Sequence, residues 1–202
     1  MDALIDDGTL IRWLHVASAA AFTGLLLVVD WHLTPAALRA RGEERKAVAA
    51  LALPILASLR WSGALAWVLG MTYALGFLAR QDPEGTAHWL STNTRGQWIA
   101  LSFAYASIAV SVSWFVLAPL WEALARGAVG DDDGDTLLAT AARAARGASC
   151  VLPALIFAMS AGKHLGETGG DLPTEFGLAG GAVTVGGIAL GLILGAVFGR
   201  RS

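Results

Sequence analysis

The chain has 202 residues, of which 55% are apolar and only 15% charged, against about 25% charged in an ordinary soluble domain. Its formal net charge of -2 carries no basic excess, so the electrostatic drive for nucleic-acid binding is missing. The single cysteine, Cys150, excludes an internal disulfide framework, a CxxCH haem attachment and a cysteine cage for zinc or iron–sulfur. With a mean hydropathy of +0.59, the composition is that of a membrane protein.

A bilayer core of about 30 Å asks for about 20 apolar residues per helix. Five stretches read as spans: 10–33, 53–79, 97–121, 148–165 and 177–199. They predict an all-α, polytopic bundle of five transmembrane helices forming one membrane domain over 1–202. Their runs of Ala, Leu, Val and Gly do not alternate as strands would, and a lipid-exposed open sheet cannot satisfy its backbone.

The first span follows Asp2, Asp6 and Asp7, where a cleavable signal carries basic residues, so it reads as a true crossing. Between spans three and four, Asp131-Asp132-Asp133-Gly134-Asp135 has Thr136 and Ala142 where a calcium loop wants glycine and glutamate. It reads as a solvated linker. The fourth span is short and contains Pro153. The fifth carries Gly187, Gly191, Gly195 and Gly199 along one helix face, which favours close contact within the chain or with a helix partner.

Five crossings put the termini on opposite sides. Arg12, Arg80, Arg95 and Lys163 lie on the amino-terminal side, and the other ten of the fourteen basic residues lie opposite. Basic loops stay in the cytoplasm, so the amino terminus is expected outside and the carboxyl terminus inside a bacterial inner membrane. Trp13, Trp89 and Trp98 fall at one set of span ends and Trp31, Trp61 and Trp121 at the other, as interfacial rings should. Trp67 and Trp114 lie deeper and read as packing residues.

Ionisable groups in hydrocarbon are costly and invite functional readings. His15 lies roughly 8 Å inside the first span at the usual helical rise, and His164 closes the fourth. Alternating crossings bring both to the outer side, together with the loop residue His88, whereas His32 lies on the inner side. Two imidazoles from different helices at similar depth are what an axial ligand pair for haem b requires, His15 and His164 holding the iron. Ser18 and Ala19 beside His15, and Ser160 and Ala161 beside His164, leave space for a macrocycle or for a neighbouring helix. Arg12, one turn outward of His15, is placed to bind a haem propionate, and Lys163 is a second candidate. Two readings compete with haem: a histidine that only hydrogen-bonds a backbone carbonyl or a lipid headgroup, and a copper site on His15, His88 and His164. On the inner side, Asp30 and Arg60 are expected to pair across the first hairpin and relieve each other's burial. Nothing resembles a nucleophile–base set, a phosphate loop or a dinucleotide fingerprint.

A set of short motifs runs through the chain: Arg12-Trp13-Leu14-His15, Thr23-Gly24-Leu25, Thr34-Pro35, Pro54, Arg60-Trp61-Ser62-Gly63, and Trp114-Phe115-Val116 with Pro119. Ser149, Pro153, Phe157 and Met159 follow, with His164 five residues beyond the methionine. In this order and spacing, over about residues 12 to 165, the chain resembles the membrane domain of the bacterial cytochrome-linked urate hydroxylases. The resemblance implies a redox membrane protein working towards the periplasm, with His15 and His164 as its haem residues. Family members pass electrons to a carboxyl-terminal cytochrome c domain. No CxxCH follows the fifth span here, so a separate cytochrome or quinone is the expected electron partner. Asp30-Trp31-His32 stands where the family has an asparagine-containing stretch. A more distant likeness, to the copper-resistance D family and the HemJ-type protoporphyrinogen oxidases, keeps copper transport as an alternative. A structural subunit docked through its glycine face is another.

Overall fold

The computed structural model describes residues 8–81, 83–143 and 146, and these form helices and short connections with no strand. Helix α1 covers Thr9–Arg39 and α2 covers Gly42–Leu78. A short helix, α3 (Thr86–Thr92), leads into α4, whose apolar part is Gly96–Ala125. A further helix, α5, occupies residues 131–143. Three of these, α1, α2 and α4, are long and apolar enough to cross a membrane. The described part of the chain is therefore all-helical and has the architecture of a multi-pass membrane protein. The expected spans 148–165 and 177–199 lie outside the described residues.

The long helices overrun their expected spans. α2 begins at Gly42, well before residue 53, with Glu43 and Glu44 in its first turn, where carboxylates favour the helix dipole. Two of the rods widen immediately before a proline. α1 passes through a π-turn at Val29–Leu33 ahead of Thr34-Pro35, and α4 through one at Ser113–Leu117 ahead of Ala118-Pro119. Proline lacks an N–H and its ring crowds the carbonyl four residues back. A turn closed over five residues instead of four makes room for it. In α1 the Thr34 hydroxyl donates to the Val29 carbonyl at 2.8 Å, satisfying an acceptor of that wider turn.

Packing between α1 and α2 follows a heptad. The buried residues of α2 are Arg45, Ala49, Ala52, Leu56, Leu59, Gly63, Ala66 and Gly70, alternately four and three apart, as in a coiled-coil seam. Three interlocks are set one heptad apart in both helices. Phe77 lies over Gly8, His15 over Gly70, and Phe22 over Gly63, and a Cβ on any of these glycines would come within 2.7–2.8 Å of the ring it faces. The two chains run antiparallel, each ring using a position where the partner has no side chain, the close approach that small residues allow between membrane helices. The same register brings buried Val29 to the level of buried Leu56.

The main core lies beyond these interlocks, towards the α1–α2 turn, where Leu26, Leu56 and Leu59 meet Trp121 and Leu124 of α4 and Leu138 of α5. The acidic stretch expected as a solvated linker is instead the first turn of α5, and it is clamped. Arg45, only 3% exposed, reaches Asp135 at 2.5 Å and the Asp131 carbonyl at 2.8 Å, while Arg41 grips Asp135 through both carboxylate oxygens. The tryptophan belt is also only half as expected. Trp13 and Trp61 are about two-thirds exposed, but Trp89, Trp98 and Trp121 are buried and belong to the interior.

Candidate functional site

His15 is the middle of the three interlocking rings and the one that carries a hydrogen-bonding edge. Its Nδ1 lies 2.8 Å from the Ala66 carbonyl oxygen. A carbonyl oxygen only accepts, so Nδ1 donates this hydrogen bond, and Nε2 is the nitrogen left with a lone pair. Gly70, one turn along α2 from Ala66, provides the clearance: a Cβ there would stand 2.8 Å from Cε1 and 3.0 Å from Nδ1. Ser18, one turn deeper, is buried and spends its hydroxyl on the Leu14 and His15 carbonyls at 2.7 and 3.0 Å. Arg12 is exposed one turn outward, and Ala19 is half-buried.

Ligating histidines usually donate their second ring nitrogen to a carbonyl, carboxylate or water, which fixes tautomer and ring orientation. His15 has that arrangement. The donor chemistry of His15 would thus suit a haem ligand, with Arg12 one turn towards the amino terminus. The expected second ligand, His164, lies outside the described residues, as do Lys163, Ser160 and Ala161. So do Met159, Cys150 and the glycine row Gly187, Gly191, Gly195 and Gly199.

The remaining histidines occupy other settings. His88 on α3 is held by Glu84 at 3.2 Å and by the Thr92 hydroxyl at 3.2 Å. His32 is exposed within the α1 π-turn. Among the described residues no group of three His, Cys, Asp or Glu is arranged to hold a metal ion.

The charges near the α1–α2 turn pair differently from expectation. Asp30 is fully buried, and its partner is Arg146, whose Nε lies 3.2 Å from Oδ1. The helical register explains why Arg60 is not the partner. With Phe22 facing Gly63, Arg60 stands level with residue 25, roughly 8 Å along the axis from Asp30. Arg60 also follows Leu59 of the buried stripe and so turns towards α4. There its guanidinium lies 5.2 Å from the centre of the Trp114 ring and 3.8 Å from Glu122.

Three of these partners were not singled out from sequence as site residues: Arg45, Glu122 and Arg146. Only Arg45 carried a usable signal, since it continues the alternating four-and-three spacing of α2 one step before Ala49. Compared with family models, curated proteins and solved structures, the chain matches none.

Proposed function

We propose that this chain is a multi-pass haem b protein of a bacterial inner membrane that transfers electrons, its amino terminus outside. His15 and His164 are its axial ligands, and Arg12 binds a propionate. The single observation that supports this reading is the hydrogen bond from His15 Nδ1 to the Ala66 carbonyl, which holds the ring against Gly70 and leaves Nε2 for a ligand bond. A phenylalanine occupies each neighbouring interlock, at Phe22 and Phe77. Packing alone would be served by a third, whereas an imidazole brings a polar edge that must be satisfied in an apolar setting.

Haem, when bound, supplies a one-electron iron couple. The chain's own contribution is to orient one ligand ring from a rigid helix pair and to place a cation at the outer edge. A separate cytochrome or quinone exchanges electrons with it. The resemblance to the urate hydroxylase membrane domain points the same way without fixing a substrate.

Spectra of the detergent-solubilised full-length protein, oxidised and reduced, test the reading. A Soret band that sharpens on reduction is expected, and His15→Ala and His164→Ala should each abolish or shift it. A haem-free preparation, or a band that survives both substitutions, overturns the proposal. Copper uptake by such a haem-free preparation, dependent on His15 or His88, would favour the copper-transport alternative.

A further inference from the structure

On the side of α2 away from His15 lies a groove of about 690 Å³ between α2 and α4, near the end of the hairpin that carries the α1–α2 turn. Its walls are apolar, with Leu53, Pro54 and Ala57 of α2 facing Ala118 and Ala125 of α4. Its charges come from Arg60, Glu122 and Arg126.

Arg60 is the unusual member. Its Nε is buried and has no hydrogen-bond partner. Its contact with Glu122, at 3.8 Å, is too long for a hydrogen bond. The guanidinium is instead held over the Trp114 face at 5.2 Å, a cation–π contact that fixes its position without using its donors. A long basic side chain within an apolar span directs its charge to the interface, and here Glu122 and Arg126 mark that direction, one helical turn apart at the end of α4. The side chain is about a quarter exposed, so the terminal nitrogens are the donors it offers to an oxygen ligand in the groove.

We infer that the groove binds one membrane phospholipid whose headgroup is a zwitterion, a phosphodiester joined to a primary ammonium. The phosphate oxygens accept from Arg60 and Arg126, and the ammonium donates to Glu122. The acyl chains lie against the wall of Leu53, Pro54 and Ala57, which opens sideways towards lipid. Charge by charge, Arg60 and Arg126 complement the phosphodiester and Glu122 complements the tethered ammonium, whereas an anionic headgroup or a free phosphate ion brings no cation for Glu122. This reading needs only that the helices lie in a membrane and is independent of haem.

The test is native mass spectrometry of the full-length protein in detergent, with phosphatidylethanolamine, phosphatidylglycerol or inorganic phosphate added. Phosphatidylethanolamine should be retained preferentially, and R60Q and R126Q should each lower its retention by about tenfold, the loss of one charge-assisted hydrogen bond. Glu122→Gln should remove the preference over phosphatidylglycerol while leaving both lipids retained. Ala57→Phe fills the groove without touching a charge and should lower retention of both lipids, which covers the case of an arginine variant that fails to fold. The proposal is overturned if retention is unchanged in R126Q and Ala57→Phe. Displacement of the lipid by inorganic phosphate, which would mark a plain anion site, or equal retention of the two lipids by the unaltered protein also overturns it.

Discussion

At one end of the α1–α2 hairpin a single imidazole meets a backbone carbonyl among glycines and alanines. At the other, an aspartate with no exposed surface meets an arginine 116 residues away in sequence, and a second buried arginine clamps the start of α5. The first end is sparsely polar and its one donor is satisfied within the helix pair. The second is held by charges that must find partners from different elements, because a lone ion in such surroundings is strongly destabilising. The contrast separates an end that holds several elements together from an end whose imidazole spans only one helix pair. Arg45 and Arg146 tie together α1, α2, α5 and the residues beyond α5, so they are structural. His15 ties only α1 to α2, which two phenylalanine interlocks already do; its Nδ1 is spent on the Ala66 carbonyl, and Nε2 is the nitrogen the proposed function assigns to a ligand.

The comparison is broken most forcefully at the charged end. Arg146→Ala should lower unfolding stability in detergent by about 3–5 kcal/mol, the cost of stranding Asp30 without its partner. Replacing both residues with apolar ones of similar size, Asp30→Leu with Arg146→Met, should recover most of that loss. A single substitution as mild as a surface change would mean that Asp30 is not held by Arg146. Helix content and thermal unfolding report both outcomes.

A sharper comparison sets two glycines against each other. Gly63→Ala and Gly70→Ala should cost similar stability, about 1–3 kcal/mol for overpacking against Phe22 and His15 respectively. With His15 as the proposed haem ligand, only Gly70→Ala should also change the absorption spectrum, since it displaces that ring. Equal spectra for the two variants would reduce His15 to a third packing ring. The smallest effect is expected at Arg41, whose pair with Asp135 is largely exposed. Arg41→Ala should cost no more than about 1 kcal/mol, and less in high salt.

The helices themselves were legible in the sequence because apolar length leaves little choice in a bilayer: three of the five stretches coincide with the cores of α1, α2 and α4. Their ends were not legible, since residues 42–52 continue α2 through charged positions that a hydropathy reading discards. The Asp30–Arg60 pair failed for a geometric reason. Depth along a hairpin can be counted roughly from its turn, but which side of α2 a residue faces depends on the seam, and Arg60 lies just off it. Arg146 was out of reach because its pairing depends on how α5 folds back over the turn, and a charged loop gives no periodic sign of that. For His15, the competing reading of a backbone hydrogen bond turned out to describe its actual contact, and that contact is also what a ligating imidazole needs.

The widened turn at Val29–Leu33 has a consequence for how the two ends of α1 relate. It stores one residue beyond what a regular helix would use, so the segment after it is dialled relative to the segment before it by about 100°, one residue's share of a helical turn. Closing that turn to an even screw without removing a residue would rotate everything beyond it. The Thr34–Arg39 portion would then swing away from its neighbours while Ser18 and Phe22 stayed seated. The proline two positions on opposes that return, and so acts as the detent that keeps both halves of α1 addressing the same partner.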